Sequence, residues 1–137
     1  MRFKSDRIEK EWGSGKLDKR LQFIVIFLDW YCRNFVTRID GTKQDIQVTC
    51  IYRTPQENLA IYKGDKKQAD KSPHPYWRGV DIGVNAFSLD TRAQLRDLIN
   101  KHFKNIGKAK VCVWHNVGLG DHFHIQVGSG QYSYIYK

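Results

Sequence analysis

The sequence predicts an α+β domain, a small and mainly antiparallel sheet with helices packed on it. Two observations predict it. One long stretch, Leu17 to Phe35, carries apolar residues at helical spacing, whereas the later apolar segments are short and alternate with polar residues. Capping and turn signals separate them, giving the order α-β-α-β-α-β-β. At 137 residues with 41% hydrophobic residues, one domain can bury a real core without staples.

Residues 1–16 are mostly polar, pass through Gly13-Ser14-Gly15, and read as an arm or short helix before a single domain over residues 17–137. From Leu17 the positions Leu21, Ile24, Leu28, Tyr31 and Phe35 recur in steps of four and three, one face of a helix. Asp40-Gly41 marks a turn. Asp45 to Tyr52 then alternates, with Ile46, Val48, Cys50 and Tyr52 on the apolar face of a strand. Thr54-Pro55-Gln56-Glu57 places a hydroxyl cap, a proline at the first helical position and a glutamate at the third, so a short helix runs to about Tyr62. Lys63 to Pro75 reads as a charged loop. Gly79 to Asn85 alternates as a strand, with Val80, Ile82 and Val84 on one face and Asp81 on the other. A helix opens at Asp90 or Thr91, turns Leu95, Leu98, Ile99 and Phe103 inward, and stops before Gly107. Ala109 to Trp114 and His122 to Val127 are the last two strands, joined by a glycine-rich loop, and the tyrosine-rich tail from Gln131 to Lys137 offers a further edge strand.

The formal charge of +9 calls for an anionic partner or surroundings: anionic cell-wall polymers or nucleic acid. No Arg-rich block or nucleic-acid motif stands out, so nucleic acid is the less favoured of the two. The longest apolar run, Phe23 to Leu28, is far too short to span a bilayer, so no membrane partner is expected. The N-terminus mixes charges and lacks an apolar signal segment. Cys32, Cys50 and Cys112 sit among apolar neighbours with no close pairing, which points to buried free thiols rather than disulfides or a thiolate metal site.

Two segments carry the chemistry: Ser72-Pro73-His74-Pro75-Tyr76-Trp77-Arg78-Gly79-Val80-Asp81 and Asp121-His122-Phe123-His124-Ile125-Gln126-Val127. Two imidazoles with one carboxylate are a common ligand set for zinc that leaves a coordination position open. On a strand, His122, His124 and Gln126 share one face and Phe123, Ile125 and Val127 the other. Asp81 can therefore meet a strand histidine across neighbouring strands, with His74 supplied from the preceding loop.

Ser-x-His-x-x-x-Arg-x-Val-Asp followed by carboxylate-x-x-His resembles the zinc D-alanyl-D-alanine metallopeptidases, of the superfamily that includes lysostaphin-type peptidases and hedgehog domains. Upstream, Thr49-Cys50-Ile51-Tyr52-Arg53-Thr54-Pro55-Gln56-Glu57-Asn58 is similar to that family's Thr-Ser-Gly-Tyr-Arg-Thr-x-x-x-Asn stretch, so the resemblance covers roughly residues 46–127.

The resemblance implies that His74, Asp81 and His124 are zinc ligands and that the fold is hedgehog/D-Ala-D-Ala-peptidase-like. It makes Asp121 the general base and acid, in place of the family's usual glutamate. It gives Arg53 a role in holding substrate or the oxyanion, and Ser72 one in hydrogen bonding beside the first ligand. His122 competes with Asp121 for the base, since it shares the strand face of His124. Trp77 stands where the family has glycine, and Gly79 where it usually has alanine. Trp77 either uses the room left by Gly79 or lines the substrate groove. His115, at a strand end, is a further candidate for contact with substrate.

The implied function is a zinc-dependent peptidase cutting peptide bonds of bacterial peptidoglycan, of bacteriophage endolysin or virion-associated lysin type. Such a protein is made in the cytoplasm and acts on the wall after release or from a virion. The alternatives are a non-catalytic zinc-containing binding or structural module of the same fold, and a basic nucleic-acid-binding domain.

Overall fold

The computed structural model describes residues 1–43, 45–104, 110–116 and 120–128. Its long helix, α2 (Lys19–Phe35), is capped by the Asp18 carboxylate, which accepts from the backbone N–H of Arg20 and Leu21. Leu21, Ile24, Val25, Leu28 and Cys32 fall on one face and are buried. The helix therefore begins two residues after Leu17, which is itself buried. The outer face is also apolar: Phe23, Ile26, Trp30 and Phe35 are exposed, and Phe23 and Phe27 pack edge-on against Phe103.

A second helix, α5 (Leu89–His102), starts one residue earlier than expected, because the Ser88 hydroxyl caps it by accepting from Thr91 N–H. Leu95 and Ile99 face the core. Between these helices lie α3 (Pro55–Ile61) and α4 (Lys66–Ala69). In α3 the expected capping box is complete: Thr54 Oγ1 accepts from Glu57 N–H, and the Glu57 carboxylate accepts from Thr54 N–H. The stretch read as a charged loop thus contains one helical turn, α4, and a 3₁₀ turn at His74–Tyr76.

Five strands, β1 (Arg2–Phe3), β2 (Gln47–Cys50), β3 (Gly79–Gly83), β4 (Cys112–Asn116) and β5 (Asp121–Gln126), form one sheet in the order β1-β2-β3-β5-β4. β1 pairs with β2 in parallel and every other neighbour is antiparallel, so the sheet is mixed. α2 and α5 pack against the face that carries Val48, Val80, Ile82, Phe123 and Ile125, all buried in one core. The opposite face is polar.

The N-terminal stretch carries a short helix, α1 (Asp6–Trp12), but is not set apart from the domain: it adds the edge strand β1, sends Ile8 into the core, and is tied to α3 where Arg7, also paired with Glu11, meets Glu57. The loop at 117–119 and the tail from Gln131 to Lys137 lie outside the described residues. Cys32 and Cys112 are buried free thiols, and burial pushes both up to about 12.

One irregularity shapes the polar face. Val48 pairs with Ile82 and Cys50 with Asp81, so β2 advances two residues while β3 advances one. Such a bulge re-aims the residues that follow it. Strict alternation puts Cys50 in the core; the bulge turns it toward Asp81 and sends Ile51 into the core instead.

Trp77 sits in the left-handed conformation, φ 59° and ψ 34°, directly after the 3₁₀ turn. Glycine adopts that conformation freely, whereas other residues are strained there by roughly 1–2 kcal/mol. A flat stack on Tyr52, centroids 4.5 Å apart and planes 6° off parallel, offsets that strain, with Lys16 Nζ 5.5 Å from the ring. Trp77→Gly should therefore destabilise the protein by about 1 kcal/mol less than Trp77→Ala, because both lose the stack but only glycine relieves the backbone. Urea unfolding of the two variants checks this.

Candidate metal centre

Asp81 is the hub of the polar face. β3 is buried along most of its length, so Asp81 is only 4% exposed, yet period-two alternation points it away from the core. The register sets it against His124 on β5 and, through the bulge, against Cys50 on β2. Proline on both sides of His74 and the 3₁₀ turn bring the third segment over the same point. Gly79, two residues before Asp81 on the same face, leaves the space: a Cβ there would lie 3.3 Å from His124 Cε1, 3.4 Å from His74 Cε1 and 2.8 Å from Pro73 Cγ. That space serves the imidazoles, while Trp77 turns away to Tyr52 and lines neither cavity of the site.

His74 Nδ1 is 2.7 Å from the Ile51 carbonyl, to which it donates, leaving Nε2 facing Asp81 Oδ1 at 3.2 Å. His124 Nε2 lies 3.1 Å from Gln126 Oε1, and its Nδ1 faces the same Asp81 oxygen at 3.0 Å. Each imidazole is oriented by a hydrogen bond on its far nitrogen, the arrangement metal-ligating histidines use to fix tautomer and ring direction. The other oxygen of Asp81 meets Arg53 Nη2 at 3.3 Å and His122 Nε2 at 3.9 Å. Arg53 is held in turn by Asn58 Oδ1 at 3.4 Å, and Asn58 donates to the Ala69 carbonyl, so the buried Asn58 positions the arginine.

Burial alone would push His74 down, but the attraction of Asp81 and its hydrogen bond raise it above the ordinary histidine value. Burial alone would push Asp81 up, and His74 and His124 hold it well below the usual carboxylate range instead. His115 is lowered, first by burial and then by the neighbouring His122 and His124. Its ring lies 4.6 Å from His122 and 5.7 Å from His124, and its buried Nε2 has no partner among the described residues. Four of the chain's five histidines therefore gather around one carboxylate.

Cys50, His74 and Asp81 offer ligand atoms that all lie within 4.8 Å of one another, a group able to hold a metal ion. Cys50 Sγ is 3.8 Å from His74 Nδ1, the nitrogen already committed to the Ile51 carbonyl. Sequence reading missed Cys50 because alternation hides a bulge.

The remaining expected residues are placed unevenly. Ser72 is buried beside the first histidine, its Oγ accepting from His74 N–H at 3.4 Å, and it lines a small cavity of about 160 Å³ with His115, His122 and His124. Asp121 opens β5 and lines a larger cavity of about 630 Å³ with Asp81 and His122. Its carboxylate is taken up by Arg92 Nη1 of α5 at 3.3 Å. His122 Nδ1 lies 3.0 Å from the Gly120 carbonyl, so its Nε2 is the nitrogen turned to Asp81. Arg53, Asp81 and His122 line both cavities and stand between them.

No family model, curated protein or solved structure matches this chain. Among the described residues no helix is long and apolar enough to cross a membrane.

Proposed function

We propose that the chain is a zinc-dependent peptidase acting on the peptides of bacterial peptidoglycan, with His74 Nε2, Asp81 Oδ1 and His124 Nδ1 as the protein ligands. The observation that carries the reading is the convergence of two imidazole nitrogens on one carboxylate oxygen at 3.2 and 3.0 Å. Tetrahedral zinc, with bonds of about 2.0–2.1 Å, sets its ligand atoms about 3.3 Å apart, so both separations from Asp81 are close to what the ion requires, with the two imidazole rings 5.2 Å apart. Cys50 fits less well, since its approach is to the nitrogen of His74 that faces away from Asp81. The hedgehog/D-Ala-D-Ala-peptidase-like fold belongs to the same reading. It is supported by the mixed sheet, with α2 and α5 on the core face and the polar site on the other.

When bound, zinc would lower the pKa of a water molecule to about 7 and polarise the scissile carbonyl. The protein's own residues do the rest. Arg53, fixed by Asn58 and Asp81 between the two cavities, places a guanidinium where negative charge develops on the carbonyl oxygen. Asp121, on the wall of the larger cavity, takes a proton and passes it to the leaving amine, and Arg92 holds its carboxylate there. His122 Nε2, turned to the centre of the site, stabilises the charge beside it. The +9 charge supports attraction to an anionic wall, an attraction that salt weakens.

The test is release of new amino groups from purified peptidoglycan by the zinc-loaded protein, compared with His124→Ala. Release by the wild type and none by the variant is expected. Zinc uptake without release from walls of differing peptide chemistry would leave the non-catalytic module as the reading.

Ligand protonation gives a second expected result. Metal ligands must be deprotonated to bind, and in the metal-free site Asp81 keeps a proton on His74 at neutral pH. Zinc binding should release about one proton, so affinity rises about tenfold per pH unit from about pH 6 to about pH 8. Calorimetry in buffers of different ionisation enthalpy measures the proton directly.

A further inference from the structure

The larger cavity extends well beyond the metal centre, across β3 and β2 to the N-terminal strand. Its floor follows from the register. β1 sets Arg2 against Gln47, and β5 sets His122 against Gly83. On this polar face Gly83 occupies the position two residues after Asp81, and the lack of a side chain there opens the floor between the site and β1. A Cβ at Gly83 would rest 3.5 Å from Thr49 Cγ2, an ordinary contact, so the gap is not forced by crowding.

The lining carries five cations and five carboxylates, but they do not pair one to one. Arg2 pairs with Asp45, Arg7 with Glu11 and Glu57, and Arg53 with Asp81, while Asp121 is held by Arg92 from outside. Every carboxylate of the lining is thus engaged. Lys4 and Arg38 also line it, and neither side chain has a hydrogen bond or ion pair among the described residues. Two cations are left over in a cavity of about 630 Å³ that opens onto Asp81 and His122.

We propose that this cavity is a subsite for an anionic peptide segment, whose carboxylate is taken by Lys4, across β2 from Asp81, and by Arg38, beside the Ala86 backbone beyond Gly83. The inference rests on the peptidase reading for its choice of peptide, but its two cations, Lys4 and Arg38, lie outside the stretch that carries the family resemblance. β1 and β3 are separated by β2, so about 10 Å of sheet lies between Lys4 and the centre. An extended peptide covers that in about three residues. The ligand is therefore a peptide with a carboxylate about three residues from the bond at the metal centre, and not an isolated dipeptide.

The experiment is calorimetric titration of the zinc-loaded protein with two probes: a peptidoglycan stem pentapeptide with free carboxylates, and the same peptide with every carboxylate amidated. The wild type should prefer the free acid by about tenfold, the order expected for one carboxylate shared by two cations near solvent. The double variant Lys4→Gln/Arg38→Gln should lose that preference while binding the amidated peptide as the wild type does. Gly83→Val, which points its methyl groups into the cavity, should weaken both peptides, with zinc content and circular dichroism reporting an intact fold. The proposal is overturned if the wild type binds neither peptide or does not distinguish them. It is also overturned if the double variant binds both as the wild type does or weakens both equally. Cleavage separates this inference from the one beneath it. A free-acid preference without cleavage removes the peptidase and leaves the subsite; cleavage without the preference does the reverse.

Discussion

Asp81→Ala should cost the metal-free protein about 3–5 kcal/mol of unfolding free energy, the loss expected when one partner of a buried charge cluster is removed. The substitution leaves Arg53, 8% exposed, without its carboxylate, and strips His74 and His124 of the group that both nitrogens face. The pH dependence has a definite sign. Because the folded state holds Asp81 well below its ordinary value, its contribution is present above about pH 4 and fades as pH falls through the folded pKa. His74 is raised, so its share is complete below about pH 6.5 and is lost as pH climbs through its folded pKa. The gap between wild type and variant should therefore be widest between these limits and close toward acid. Urea titrations of chelator-treated protein at about pH 3, 6 and 9 measure it. Zinc affinity should fall by more than about 100-fold in the same variant, beyond the range usual for an outer-shell partner.

The second large effect concerns proton transfer. Asp121→Asn should lower the rate of peptide release by about 10²–10⁴-fold with zinc content unchanged, and His122→Ala by about tenfold. The asymmetry follows from the roles proposed: a carboxylate on the cavity wall that carries the proton, and an imidazole that steadies charge beside Asp81. The geometry makes this a demanding comparison, because His122 Nε2 is nearer the centre while Arg92 occupies Asp121. A larger loss in His122→Ala, with disappearance of the acid limb of the pH–rate profile, would move the base to His122. The Asp121–Arg92 pair is half-buried, but asparagine keeps an oxygen to accept from Arg92, which also stays bonded to the Phe87 carbonyl, so the asparagine variant should fold normally.

Much of this site was legible in the sequence because it depends on period-two alternation. Val80 and Ile82 against Asp81, and Phe123 and Ile125 against His122 and His124, announce which side chains face the core and which face each other across β3 and β5. The helices were equally legible where their caps were explicit, as at Thr54 and Glu57. What alternation could not show was the bulge at Thr49–Cys50, since the extra residue changes facing without changing composition. Cys50 was thus read as core and Ile51 was not.

The strand in the N-terminal stretch was hidden for a related reason. Two residues of strand leave no periodic signal, and β1 is defined only by its pairing with β2, more than forty residues away. Trp77 was ambiguous because its departure from glycine is resolved by a backbone angle and a stacking partner, neither of which residue spacing encodes. Asp121 shows the same limit: position three before a candidate ligand suggests a base, but only the fold introduces Arg92.

The identity of the ligand set is the central claim, and equilibrium dialysis of zinc against the wild type, His124→Ala and Cys50→Ala tests it most directly. With His74, Asp81 and His124 as ligands, the wild type and Cys50→Ala should each hold about one zinc per chain, and His124→Ala should hold almost none at the same free zinc. Zinc retained by His124→Ala and lost by Cys50→Ala would contradict the account.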